Sequence, residues 1–207
     1  MVMSAVRAVI RRQDRQRASA ARAASGTHQS SKRAFPLAKV YGLLEPGPVV
    51  LVSTRHQGRA NIMTMSWHTM MDFEPPLVGC VIGACNVSFE ALRRTRQCVL
   101  NIPTVELAAA VAGCGNTSGR RLDKFKMFAL TPLPAKVVDP PLIAECYANL
   151  ECRVADTRLV KRYDFFVLEV LRAWIDPLIT IPRTLHHRGR GVFMVAGRTI
   201  TLPSRMK

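Results

Sequence analysis

No apolar run in these 207 residues approaches the roughly 18 to 20 needed for a helix to cross a bilayer. Even Val49–Val52 is halted by Ser53 and Thr54, so a membrane-spanning role is not expected. Cys-x-x-Cys is missing as well. The six cysteines, Cys80, Cys85, Cys98, Cys114, Cys146 and Cys152, are scattered, mostly within apolar stretches, which is the usage of reduced, partly buried thiols in a cytoplasmic protein. None pairs at ligand spacing beside a histidine pair, so no metal site is expected. Aromatic residues make up only 6%, too few for a platform on which nucleic-acid bases stack. There is no Walker loop, no Ser-His-Asp set and no paired-carboxylate motif. A Gly-rich strand–turn–helix fingerprint is absent too, which excludes a separate dinucleotide-binding domain.

Acidic residues are scarcest at the start of the chain. Residues 1–33 hold eight basic residues (Arg7, Arg11, Arg12, Arg15, Arg17, Arg22, Lys32 and Arg33) against one acid, Asp14. That is +7 of the formal +16, and it leaves +9 for the rest. The segment has only Val2, Val6 and Ile10 as an apolar stripe and lacks the long apolar core of a secretory signal. It reads as a basic tail or frayed helix without a fold of its own, ahead of one domain at 34–207. Downstream, basic residues alternate with acids. The large net charge is therefore a poor argument for nucleic-acid binding.

Short β-type runs are what the chain does contain: Val49–Thr54, Ile62–Met71, Leu77–Gly83, Cys98–Ile102, Ala148–Val160, Phe165–Ile175 and Val192–Val195. Prolines and glycines separate them, and helical patterns are few. Ser88 before Phe89–Leu92 and Thr104 before Glu106–Ala112 are read as N-caps, with Gly113 closing the second helix. This pattern predicts a mainly β fold, an antiparallel barrel with a few short helices.

The most informative stretch runs from Pro48 to Leu77. Its β-branched run breaks at a polar turn through Gly58 and returns as a strand carrying Ile62, Thr64 and Ser66 in alternation with Met63, Met65 and Trp67. Asn61, Thr64, Ser66 and nearby amides offer hydrogen bonds to the polar edge of a flat heterocycle. The methionines and Trp67 offer apolar surface beside it.

These residues resemble the flavin-binding segment of the flavin reductase-like family, the FMN-binding split barrels that include flavoredoxin. The order V-V-L-V-S-T, G-x-x-N-x-M-T-x-S-W, P-P-L is followed by S-F-E-A-L, V-L-N-I-P, C-G-N-T-S-G-R-R-x-D-K-F, P-L-I-A-E-C and L-H-H-R-G-x-G-x-F, between about Leu37 and about Ile200. Each motif is weak alone, but their joint order is specific.

The resemblance implies a Greek-key split barrel binding FMN through Asn61, Met63, Thr64, Met65, Ser66 and Trp67. Asn86, Val87 and Ser88 would meet the phosphate at a helix start, with Arg93 and Arg94 adding charge. Lys124 and Phe125 of D-K-F would approach the ring, the lysine offsetting charge on the reduced flavin. His186 or His187 would line the substrate side, and Arg188 and Arg190 would meet phosphates of a nicotinamide cofactor. Neighbouring histidines on a strand point to opposite faces, which argues against a shared metal. Cys80, Cys85 and Cys114 are read as inert.

The implied activity is that of an NAD(P)H-dependent flavin reductase using NADH or NADPH. Acceptors would be free flavin, oxygen, ferric chelates or a partner oxygenase. A homodimer is implied, with Trp67 or Trp174 available for pairing. The competing readings are a flavoredoxin-type electron carrier without nicotinamide turnover and a non-enzymatic barrel that binds haem, a metabolite or nucleic acid.

Overall fold

Gln57 and Gly58 both take positive φ (51° and 73°), the backbone of a tight two-residue hairpin turn whose twist matches its strands. They fold β1 (Val50–His56) onto β2 (Arg59–Met65) with Val50 opposite Met65. A computed structural model describes residues 47–200, 202 and 203. The basic extension expected at 1–33 lies outside the described residues.

A second hairpin joins β3 (His68–Phe73) to β4 (Pro76–Val81). The chain then forms α1 (Val87–Thr95), β5 (Gln97–Ile102), a 3-10 turn (Val105–Leu107), α2 (Ala108–Asn116) and α3 (Lys124–Met127). A small pair, β6 (Pro132–Leu133) and β7 (Leu142–Ile143), precedes β8 (Ala148–Asp156), α4 (Val160–Tyr163) and β9 (Phe165–Ile175). The hairpin of β10 (Leu185–His187) and β11 (Phe193–Val195) comes last.

The main sheet has the order β2-β1-β5-β8-β9-β4-β3, antiparallel throughout. Its two outermost strands, β2 and β3, are consecutive in the chain and joined only by Ser66 and Trp67. Seven strands cannot lie flat with their margins two residues apart, so the sheet curls into a split barrel. At the seam Val81 N–H donates to Trp67 O (3.0 Å) and His68 N–H to Ser66 O (3.2 Å).

β1 is buried on both faces, which explains its unbroken apolar run. Val50 and Val52 enter the barrel core with Met65, Cys80, Leu92, Leu100, Phe166 and Leu168. Val49 and Leu51 face a second core, where Ile62 meets Val111, Phe125, Ile143 and Leu185. Leu92 of α1 and Val160 of α4 belong to the first core, whereas α2 and α3 build the second.

Several expectations are corrected. The run Ile62–Met71 is two strands, broken at the seam. Residues 148–160 are not one strand: β8 stops at Asp156 and Val160 opens α4. The N-cap of α1 is Asn86, not Ser88, and its side chain donates to Gly83 O (3.0 Å) instead of capping the helix. Gly113 does not end α2, which runs on to Asn116. A Cβ at Gly113 would collide with the Phe128 ring, so this glycine serves close packing. Thr104 makes no side-chain cap bond; its hydroxyl bonds the Glu106 carboxylate instead and holds it below the usual range.

Buried polar groups fasten the loops to the barrel. Asn101 donates to Leu51 O and Ser53 Oγ and accepts from Ile143 N–H and Asn149 Nδ2. Glu151, fully buried on β8, accepts from the Trp174 indole (2.7 Å) and from the amides of Val137 (2.7 Å) and Lys136 (3.0 Å). Burial pushes its carboxyl up, but those donors outweigh it and the net shift is downward. Its contribution is thus complete above the unfolded carboxyl value of about 4.3 and is lost as pH falls through the folded value. Glu151→Gln is expected to cost about 1–3 kcal/mol at neutral pH and to flatten the acid limb of stability below about pH 5. Urea unfolding at a series of pH values checks this, and an acid limb of unchanged steepness would contradict it.

Candidate functional site

Strand alternation sends the side chains of β2 to opposite sides. Ala60 and Ile62 pack into the second core, and Thr64 Oγ1 donates to Val111 O on α2 (2.6 Å). Asn61 points the other way, toward α1, where its Nδ2 donates to Ser88 Oγ (3.0 Å). Thr54 Oγ1 lies 3.2 Å from the same hydroxyl. Asn61 therefore does not share a face with Thr64 and Ser66. Met65 is buried in the barrel core and Met63 packs against it, so neither stands beside Thr64 and Ser66. Trp67 sits at the seam, 54% exposed.

Two cavities flank this strand. The first, about 260 Å³, lies between β2, α2 and the β10–β11 hairpin and is lined by Val49, Thr64, Ser66, Asn116, His187 and Phe193, among others. The second, about 360 Å³, lies where β1 and β2 meet the start of α1 and is lined by Thr54, His56, Arg59, Asn61, Val87 and Arg120, among others. The segment from Gly115 to Arg120 borders both, Gly115 and Asn116 on the first and Gly119 and Arg120 on the second. Sites for drug-sized ligands occupy about 300–1,000 Å³. The second cavity falls at the low end of that range and the first just below it, with the segment from Gly115 to Arg120 common to both.

The second cavity carries an unusual group. Among the described residues two buried side-chain atoms lack a hydrogen-bond partner, Arg55 Nε and Asn61 Oδ1. Arg55 Nε still lies 3.6 Å from the Asp139 carboxylate. Asn61 Oδ1 has nothing comparable, and an orphaned buried acceptor costs about 1–3 kcal/mol. Gly119 lies directly over it, and a Cβ at that position would collide with Oδ1.

The remaining sequence candidates fall into distinct places. His187 lines the first cavity and packs on Phe193, ring centroids 5.1 Å apart. His186 is directed elsewhere, its Nε2 3.0 Å from Thr184 Oγ1. Asn86 and Val87 line the second cavity, whereas the Ser88 side chain is fully buried behind its wall and has only its main chain to present. Arg93 and Arg94 pair with Glu90, which lines the second cavity, and neither arginine lines it. Arg190 (φ 51°) stands between Gly189 and Gly191, both also at positive φ, at the tip of the last hairpin. Cys80 is pushed up to about 12 and Cys114 to about 11 by burial; neither is a thiolate at neutral pH.

Lys124 and Phe125 are interior. Phe125 belongs to the second core. Lys124 is 4% exposed, and its Nζ donates to Ile62 O (2.8 Å) and Cys114 O (2.7 Å). It thereby ties the free edge of β2 to the carboxyl end of α2, where a cation complements the helix dipole. Burial draws its pKa below the usual lysine value.

Thr54, His56, Arg59 and Arg120 were not singled out by sequence reasoning, whereas Gly119 closes the Gly- and Ser-rich loop from Cys114 that the sequence suggests as the edge of a site. His56 and Arg59 flank a turn, where charge ordinarily means solvation. Gly119 and Arg120 carried a usable signal, because they stand inside C-G-N-T-S-G-R-R.

Comparison with known proteins agrees with this fold. The family described as Flavin reductase like domain matches residues 43–192, and the chain belongs to it. The uncharacterized protein YddH of Escherichia coli is 31% identical over 173 residues, covering 77% of this chain and 92% of its own. An FMN-binding domain of a flavin reductases-like enzyme from Shewanella baltica superposes with a TM-score of 0.72 at 30% identity, covering 83% of this chain and 97% of that one. Flavoredoxin of Desulfovibrio vulgaris shares the fold, with a TM-score of 0.70 at 19% identity over 84% of this chain and 95% of its own. The split-barrel architecture is thus that of flavin reductase-like proteins.

Lys124→Met removes the link between two carbonyls that it now satisfies, at an expected cost of about 1–3 kcal/mol. Amide exchange in the last turn of α2 should accelerate. Hydrogen-exchange mass spectrometry with urea unfolding measures both, and unchanged exchange there would refute the tether.

Proposed function

We propose that this protein binds FMN and acts as an NAD(P)H-dependent flavin reductase. The observation that carries the reading is the pair of cavities strung along β2, the first partly apolar with hydroxyls, the second basic and at a helix start. Thr64 and Asn61 are three residues apart, roughly 10 Å of strand, on opposite faces of an outermost strand, so a ring and its phosphate-ended side chain would bridge them round its edge. The Shewanella baltica relative's description as an FMN-binding domain supports the same ligand.

The residues present fit the group. Thr64, Ser66 and Asn116 supply polar atoms for the edge of the ring, and Val49, Val111 and Phe193 supply apolar surface. Asn86 and the amides at the start of α1 suit a phosphate, helped by the helix dipole, and Asn61, its acceptor orphaned beneath Gly119, lines the same cavity. Ser88 supports this wall from behind, Met63 and Met65 support β2 from the barrel core, and Lys124 with Phe125 fixes the α2 side. Bound FMN would supply hydride acceptance and release at N5. His187 borders the side open to a substrate, with Arg188 and Arg190 following it in the hairpin as cations for a nicotinamide cofactor's phosphates. The free thiols suit a reducing, cytoplasmic setting.

The test uses the full chain. A preparation that is yellow or takes up FMN, and whose visible absorption bleaches with NADH or NADPH without oxygen, is the expected result. Flavin bound but not bleached would favour an electron carrier; a colourless protein that takes up no FMN would contradict the proposal.

The reading includes a homodimer. β3 is an edge strand whose Met70, Met71 and Phe73 are all exposed, Phe73 at 85%. Apolar edges of this kind are normally covered. Through Ser66 and Trp67 this strand adjoins the first cavity. Trp67, 54% exposed, stands beside this strand at the seam. Met71→Lys combined with Phe73→Lys should convert a dimeric mass to a monomeric one in light scattering, and an unchanged mass would place the interface elsewhere.

A further inference from the structure

We propose that Asn61 reads the hydroxylated chain of the ligand through Oδ1, and that Gly119 covers this acceptor until the ligand displaces it. The inference rests on the flavin reading above and assigns a part of the ligand to a residue of the second cavity.

A purely structural role explains only half of the Asn61 side chain. Its Nδ2 ties β2 to α1 through Ser88, whose hydroxyl is itself within reach of Thr54. Thr54 and Ser88 are fully buried, so one end of the amide is fixed in place. The other end, Oδ1, has no partner among the described residues, although Asn61 is only 8% exposed. Orphaned buried acceptors are rare in folded proteins. Filling this one internally would need only a nearby N–H or hydroxyl, yet the backbone of Gly119 lies over it without donating. Any side chain at 119 would strike Oδ1, so contact this close requires glycine.

The surroundings define what the acceptor meets. Arg59, His56 and Arg120 line the same cavity beside the start of α1, which favours an anion there. Glu90 also lines it, but its carboxylate is held by Arg93 and Arg94. In the same cavity stands an acceptor requiring a donor. A chain of hydroxyls ending in a phosphate satisfies both demands. Gly119 and Arg120 are adjacent, so lifting one from Oδ1 moves the other at the anion subsite.

Fluorescence-quenching titrations with FMN, riboflavin and lumiflavin test this, since riboflavin lacks the phosphate and lumiflavin lacks the whole hydroxylated chain. Wild-type protein should bind riboflavin at least about tenfold more tightly than lumiflavin, and Asn61→Ala should remove about tenfold from FMN and riboflavin alike while leaving lumiflavin within about twofold. Asn61→Asp keeps an acceptor toward which Ser88 can donate, and it should restore riboflavin affinity. An equal loss for all three ligands, no loss for any, or equal wild-type affinity for riboflavin and lumiflavin would overturn the proposal while leaving flavin binding intact. Wild-type protein that binds none of the three would overturn the flavin reading and this proposal together. Should Asn61→Ala fail to fold, the wild-type ligand ratio and the Asn61→Asp variant decide the matter.

Discussion

The two-residue link between β2 and β3 is the constraint on which the remaining architecture depends. Joining the outermost strands of a seven-stranded sheet through Ser66 and Trp67 requires the sheet to curl, and the curl separates an enclosed core from an outer one. β2 becomes a margin with its own side chains shared between two environments. Its outer face is left for α2 to cover, and its far end is left for α1. Both cavities follow from that incomplete cover.

Buried polar groups give the seam its surroundings. Lys124 tethers the unpaired edge of β2 to α2 through two carbonyls, and the Asn101 and Glu151 clusters fix the loops at Ile143 and at Lys136 and Val137. Such groups are costly when half satisfied and rigid when fully satisfied. Asn101 and Glu151 have their partners. Asn61 has partners for one end only, and it is the one that faces a cavity.

Much of the fold was legible because its signals are local. The Gln57–Gly58 turn, the doubly buried β1 and the alternating β2 can be read from residue type and spacing. The break at Ser66–Trp67 cannot, since both residues suit a strand and only closure of the sheet interrupts them. Gly113 reads as a helix stop, yet the Phe128 ring across the second core makes glycine necessary there. β6, β7 and β10 are two or three residues long, too short to leave a periodic pattern.

The chemistry-bearing residue types of the site were visible in the chain: hydroxyls and amides on β2, an asparagine at a helix start, a histidine pair before a Gly-rich turn. The sequence alone determined that these occur, and in an order that resembles one family. Tertiary structure alone decided their company. It set Asn61 apart from Thr64 by strand alternation, chose His187 over His186 for the cavity, and withdrew Lys124, Phe125 and Ser88 into the interior. It also brought Gly119 onto Asn61 across 58 positions of chain. Spacing along a chain records which face a side chain takes, whereas burial and partnership depend on what the distant chain lays over that face.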